Sequence, residues 1–282
     1  MERKKVSVLD LQQKKKDGLK ITMLSIYDYP MALLADRAGL DTILVGDSLA
    51  MTVLGHENTV SVTMDEMIHH TKAVTRGVKY TFVVGDMPFM STNTGERDAI
   101  INAGRFIKEG RADAVKVEGT GNVVPIVKAI HNAGIPVVAH IGLTPQTVSM
   151  LGGLKVQGKD SKTAQKIIDD AYALQDTGAF AIILECVPTE ISRIVAQNLE
   201  IPVISYGAGV HCDGQGMVSY DLLGLFDRRI PKFSRKYINL SESVFQAFSS
   251  YRIDVTNGAY PNDQESYHVD NPEVLKTLRA KL

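Results

Sequence analysis

The side chains that could do chemistry in this sequence stand at the ends of apolar runs. Ile43-Leu44-Val45-Gly46 leads to Asp47 and Ser48, and Phe82-Val83-Val84-Gly85 leads to Asp86. Ala114-Val115-Lys116-Val117-Glu118 offers a lysine and a carboxylate, Val137-Val138-Ala139 ends in His140, and Ile182-Ile183-Leu184 ends in Glu185. One such run is commonplace. A succession of them points to a site assembled at one rim of a parallel sheet. Two carboxylates that face each other repel unless one is protonated or a cation lies between them. Hard oxygen donors with open positions suit Mg²⁺, which keeps waters and takes substrate oxygens, so Asp47 and Asp86 are candidate metal ligands. Taken singly, a strand-end aspartate is a cap or a turn former.

Lys116 and Glu118 lie two apart, and a strand's period of two puts them on one face with Val115 and Val117 on the other. A lysine inside a sheet is costly unless paired, so a structural Lys116–Glu118 ion pair is one reading. The functional reading has Lys116 bind an anionic substrate oxygen and Glu118 assist at the metal. Glu185 follows a run that would partly desolvate it, raising its pKa and suiting it to proton transfer; pairing with Lys116 is the alternative. His140 fits a satisfied core histidine as well as a substrate hydrogen bond. A divalent metal, a lysine and a buried base together fit chelation of a 2-oxo acid, proton removal beside its carbonyl and stabilisation of the enolate. His69 and His70 are adjacent in a helix and do not share a face, and Cys186 has no histidine-paired nucleophile pattern around it.

The elements that must position these groups alternate regularly. The pattern predicts a short helix over 8–16, then strands near 21–25, 42–45, 82–85, 114–118, 136–140, 181–185 and 202–205. Helices are expected between them, near 31–38, 64–75, 97–109, 123–133, 164–176 and 190–197. Gly39, Gly77, Gly110, Gly134 and Gly178 suit left-handed C-caps, and Thr63 and Thr94 suit N-caps. Short, nearly continuous apolar strands imply a sheet covered on both faces with right-handed crossovers. No Gly-x-Gly-x-x-Gly loop follows the first strand, which favours a closed (β/α)₈ barrel over an open dinucleotide-binding sheet. An eighth strand is expected near Lys232-Phe233, and 1–282 reads as one domain. The Gly152–Gly158 loop is a candidate cover for a ligand.

Composition narrows the partners. With 282 residues, 44% hydrophobic and 22% charged, the chain is long enough for a large core. A formal net charge of -1 leaves no global field for nucleic acid or anionic lipid. The Lys14-Lys15-Lys16 run reads as a solvated helix face. No stretch is long and apolar enough to span a membrane, and no apolar segment follows the charged start, so no signal peptide is expected. Two cysteines cannot form a disulfide framework, and a reducing, cytoplasmic setting follows as the expectation.

Ordered motifs carry a resemblance. They include Tyr27-Asp28-Tyr29, Val45-Gly46-Asp47-Ser48-Leu49, Met51-Thr52-Val53 with Gly55-His56, and Gly85-Asp86-Met87-Pro88-Phe89-Met90. They continue through Val115-Lys116-Val117-Glu118-Gly119, His140-Ile141-Gly142-Leu143-Thr144-Pro145-Gln146, Gly152-Gly153 with Val156-Gln157-Gly158, Leu184-Glu185-Cys186-Val187-Pro188 and Ile230-Pro231-Lys232-Phe233. Together, from about Tyr27 to His268, they resemble the ketopantoate hydroxymethyltransferase family. The resemblance implies a TIM barrel of the phosphoenolpyruvate mutase/isocitrate lyase type, acting in pantothenate biosynthesis. It implies hydroxymethyl transfer from 5,10-methylenetetrahydrofolate to 3-methyl-2-oxobutanoate, giving 2-dehydropantoate. Carried over by position, Asp47, Asp86 and Glu118 correspond to the Mg²⁺ site. Asp47, Ser48, Asp86, Lys116 and His140 correspond to substrate contacts, and Glu185 to the proton acceptor. A homo-oligomer, a decamer on the family pattern, is implied as well.

Rival readings are a lyase or mutase of the same superfamily and a non-catalytic metabolite-binding relative. Lyases of that group often carry a Lys-Lys-Cys-Gly-His loop, which is missing here, and the intact acidic set argues against the second rival. The chain departs from the family at Ser205-Tyr206, where relatives read Gly-Ile, and at Ala50, where they read Gly. The tail after His268 continues through Asn271-Pro272 into an expected extra helix.

Overall fold

Seven apolar runs form strands where the pattern places them, and the chain closes them with an eighth. The computed structural model describes residues 3–119, 121–225 and 230–281. The first half runs α1 (Val8–Lys16), β1 (Ile21–Ser25), α2 (Tyr29–Ala38), β2 (Thr42–Val45), α3 (Leu49–Thr52), α4 (Met64–Gly77), β3 (Phe82–Asp86) and α5 (Glu96–Lys108). It continues through β4 (Ala114–Glu118), α6 (Val124–Asn132), β5 (Val137–Gly142), α7 (Val148–Leu151), α8 (Ser161–Asp176) and β6 (Ala181–Glu185). The last part is α9 (Thr189–Asn198), β7 (Val203–Tyr206), β8 (Gly214–Val218), α10 (Ser219–Leu223), α11 (Leu240–Thr256) and α12 (Pro272–Arg279). All strand pairs are parallel, in chain order, and β8 returns to β1 with Ile21 opposite Gly214. The (β/α)₈ expectation is met.

The period of two divides every strand between the barrel interior and the helix layer. On β3, Phe82 and Val84 enter the inner cluster while Val83 packs in the outer one. Ala114 of β4, Val138 of β5, Ala181 and Ile183 of β6, and Ile204 of β7 fill the same interior. The next inward positions toward the C-terminal rim are Asp86, Lys116, Glu118, His140, Glu185 and Tyr206. Gly85 belongs to the outward face. A Cβ there would lie 2.3 Å from Cδ1 of Phe106, so the glycine before Asp86 lets α5 close onto β3.

Helix α1 closes the opposite end. Ser7 and Asp10 form its capping box, and Leu11, 3% exposed, enters the inner cluster. The lysine run is a solvated face only at Lys16: Lys14 Nζ lies 2.5 Å from Asp41 and Lys15 Nζ 2.7 Å from Asp213. These pairs tie the plug to the ends of neighbouring strands.

Three other expectations are corrected. The eighth strand is Gly214–Val218, not the Lys232-Phe233 segment; Phe233 instead packs over Gly207, 2.4 Å from a Cβ built there. The N-cap of α5 is Gly95 rather than Thr94, with no side-chain cap, whereas Thr63 caps α4 through a capping box. Gly39, Gly134 and Gly178 are left-handed, but Gly77 and Gly110 are not; there a Cβ would meet backbone oxygens of Tyr29 and Phe106 at 2.7 and 2.6 Å. The expected tail helix is α12.

Candidate active site

A cavity of about 270 Å³ opens at the C-terminal rim, and Asp47, Ser48, Asp86, Lys116, Glu118, His140 and Glu185 all line it. Its centre is Lys116, whose side chain is 4% exposed. Nζ donates to Asp86 Oδ1 at 2.8 Å, Asp86 Oδ2 at 2.9 Å and Glu118 Oε2 at 3.1 Å. The ion-pair reading of Lys116 and Glu118 is therefore correct but incomplete, because Asp86 from the neighbouring strand is the closer partner. The Asp47 backbone N–H donates to Asp86 Oδ2 at 3.0 Å, which brings the two aspartates together.

A second chain of contacts runs toward Glu185. His140 Nδ1 lies 3.1 Å from Glu118 Oε2, and His140 Nε2 lies 3.2 Å from Glu185 Oε2 without hydrogen-bond alignment. Glu185 faces His140 rather than Lys116, and its side chain is 19% exposed, against 1% for Glu118. The backbone turns sharply beyond it: Cys186 has φ 48° and Gly142, where a Cβ would lie 2.4 Å from the Glu185 carbonyl oxygen, has φ 95°. A non-glycine residue held left-handed beside Glu185 stores local strain.

Sequence reasoning did not single out Gln146. Its backbone N–H donates to Glu118 Oε1 at 2.8 Å, and its side-chain amide reaches Asp47 Oδ2 and the Met87 carbonyl, each at 3.0 Å. It sits in the short 3₁₀ turn after β5, where no periodicity marks it; only its place in the His140–Gln146 block drew notice. Tyr27 was likewise unassigned, and its hydroxyl lies 2.8 Å from Ser48 Oγ.

The electrostatics follow from burying three carboxylates around one lysine. Burial, and after it the Asp86 charge, pushes Asp47 up to about 8. Burial also raises Asp86 despite Lys116. For Glu118 burial works in the same direction, but Lys116 and His140 outweigh it and hold the group down at about 2. Burial and Lys116 both disfavour a charged His140, yet Glu118 and Glu185 raise it to about 9. The thiols fit the inert reading: burial pushes Cys186 up to about 11 and Cys212 up to about 12.

The donor set is suited to a hard divalent cation. Asp47, Asp86 and Glu118 outnumber Lys116 and His140, and a cation would relieve the repulsion between carboxylates that helps to raise Asp47. Among the described residues, no group of three or more His, Cys, Asp or Glu side chains is arranged to hold a metal ion. Both Glu118 oxygens already accept bonds from protein donors.

Nearly the whole chain is similar to known proteins. The model of the ketopantoate hydroxymethyltransferase family matches residues 5–263. The chain is 54% identical over 266 residues to the 3-methyl-2-oxobutanoate hydroxymethyltransferase of Moorella thermoacetica, covering 94% of this chain and 99% of the relative. It is 51% identical over 274 residues to the enzyme of that name from Carboxydothermus hydrogenoformans, covering 97% and 99%. Among solved structures, the fold is similar to a phosphoenolpyruvate phosphomutase from Streptomyces platensis, with TM-score 0.59, 15% identity and coverage of 98% and 96%. It is also similar to 2,3-dimethylmalate lyase, a member of the phosphoenolpyruvate mutase/isocitrate lyase superfamily, with TM-score 0.59, 16% identity and coverage of 98% and 95%. The fold is that of the superfamily, and by sequence this chain belongs to the ketopantoate hydroxymethyltransferase family.

Proposed function

We propose that this enzyme transfers a hydroxymethyl group from 5,10-methylenetetrahydrofolate to 3-methyl-2-oxobutanoate, giving 2-dehydropantoate for pantothenate biosynthesis. The observation that carries the reading is one cavity lined both by the Lys116–Asp86–Asp47 cluster and by the separate carboxylate of Glu185. The cluster suits the carboxylate and carbonyl oxygens of a 2-oxo acid, and Glu185 suits the C3 proton.

Water adds to the one-carbon unit as both of its bonds to folate nitrogens break, leaving tetrahydrofolate and a carbon at the formaldehyde level; Glu185 accepts the C3 proton, the electron pair left on C3 bonds to that carbon, and the resulting alkoxide takes up a proton. Water supplies the hydroxyl oxygen of the product. Lys116 presents a fixed positive charge to the substrate oxygens, held in place by Asp86 and Glu118. His140 lies between Glu118 and Glu185, 3.2 Å from the base, and in its charged form offers a second positive charge there. Ser48, steadied by Tyr27, offers a hydroxyl beside Asp47. Asp47 and Asp86 would hold Mg²⁺, with Glu118 as the third acidic neighbour, acting through the donors it orients. The cation, when bound, supplies charge that polarises the oxo acid.

Product formation from both substrates, followed by mass spectrometry with Mg²⁺ and with EDTA, tests the reaction. No 2-dehydropantoate under either condition contradicts it. Calorimetric titration with Mg²⁺ tests the ligands: binding is expected to weaken at least about tenfold in Asp86→Ala, and unchanged binding removes Asp86 from the metal site.

The same proposal includes a cytoplasmic homo-oligomer, a decamer on the family pattern. Neither α11 nor α12 buries a residue, and Phe245, Phe248 and Tyr251 of α11 are 63%, 70% and 60% exposed. Apolar surface of that extent is suited to contact with further copies, and light scattering on the purified protein measures the copy number.

A further inference from the structure

One large side chain in the cavity has no part in the chemistry above. Tyr206 ends β7, is 6% exposed and lines the same cavity as Lys116 and Glu185. Its register partner on β6 is Glu185. Neighbouring strands run roughly 4.8 Å apart, and register partners face the same side, so the two residues enter the cavity from adjacent backbone positions.

The ring does not stay over its own strand. A Cβ on Gly216 would lie 1.9 Å from Cε2 and 2.4 Å from Cζ of Tyr206, so the ring crosses β8 through the gap that glycine leaves. Beyond it the hydroxyl reaches β1 and lies 3.3 Å from Ser25 Oγ. Backbone, flank and tip are thus each held by a different strand. Among the other lining residues, Leu44 and Ile183 are apolar and belong to the inner cluster.

We propose that Tyr206 determines which 2-oxo acid the enzyme accepts, its ring closing the inner side of the cavity against the alkyl group at C3. The proposal rests on the function proposed above. If Glu185 takes the C3 proton, the substituents on that carbon must lie beside Glu185, and Tyr206 is its neighbour. The cavity side closed by the ring leaves room for two methyl groups in this proposal. A further methylene must push aside a side chain that Gly216 and Ser25 hold in place, and a well-packed wall resists such a shift.

The test compares C3 proton–deuterium exchange on 3-methyl-2-oxobutanoate and on 3-methyl-2-oxopentanoate, one methylene longer, by NMR with Mg²⁺ present. Tyr206→Ala is expected to raise the relative rate on the longer acid about tenfold or more, the scale on which pockets discriminate a methylene. Tyr206→Phe keeps the ring and is expected to hold the ratio within about twofold of wild type. Should the alanine variant fail to fold, Tyr206→Leu reads the same ratio. A folded alanine or leucine variant with the wild-type ratio overturns the proposal. So does a phenylalanine variant that shifts the ratio as far as alanine does, since the hydroxyl would then be responsible. If wild type exchanges neither acid, the proposed function fails and takes this inference with it. Exchange in wild type with an unmoved ratio in the variants defeats the Tyr206 proposal alone.

Discussion

At the N-terminal end of the barrel the inward positions carry Ile21 and Phe82, the Phe82 and Phe180 rings meet edge to face 5.7 Å apart, and Leu11 of α1 fills the opening. At the C-terminal end the same strands carry Asp86, Glu118, His140 and Glu185 inward, around Lys116. One end buries apolar surface and stabilises the fold. The other buries charge that must be paired or protonated, and each pairing is strained by an excess of carboxylates. The difference separates what holds the barrel together from what it is built to do.

The largest way to break that comparison is Lys116→Met. It leaves Asp86 and Glu118 buried without their cation, so unfolding by denaturant should show a loss of about 3–5 kcal/mol. Turnover should fall about 10²–10³-fold or more. A variant as stable as wild type would mean that the rim carries no such tension. At the opposite end, Leu11→Ala removes the apolar plug and should cost about 2–5 kcal/mol in the same measurement. Turnover of the folded fraction should stay within a few-fold; a collapse of turnover there would blur the division between the two ends.

A smaller effect is expected from pH. Asp47, raised to about 8, and His140, raised to about 9, both bind protons more tightly folded than unfolded. Their contribution is therefore present at low pH and lost as pH rises through those values. Glu118, held at about 2, acts oppositely, but its window lies below the ordinary carboxylate range. Without divalent cations the melting temperature should fall by a few degrees between about pH 6 and pH 9, and Mg²⁺ should reduce that fall. A flat profile would contradict the proton on Asp47.

Much of this was legible in the sequence. Short, nearly continuous apolar runs marked β1 to β7, and the acids at their ends marked the rim. Strand β8 was illegible for a physical reason: its inward positions, Gly214 and Gly216, are glycines because Ile204 and Tyr206 occupy the space in front of them. With only Val218 left to mark its inner face, the strand carries no hydrophobic pattern. Gln146 was hidden because a side chain in a turn reveals its partners only when β2, β4 and β5 are brought together. The lysines of α1 looked solvated because Asp41 and Asp213, their partners, are distant in the chain.

The central claim is that the C-terminal rim removes a proton beside a carbonyl and that Glu185 takes it. C3 proton–deuterium exchange on 3-methyl-2-oxobutanoate, with Mg²⁺ and without folate, reads that step alone. Wild type should exchange, and Glu185→Gln should still bind the oxo acid while exchange drops about 10²–10⁴-fold. Exchange at the wild-type rate in the glutamine variant would contradict the account.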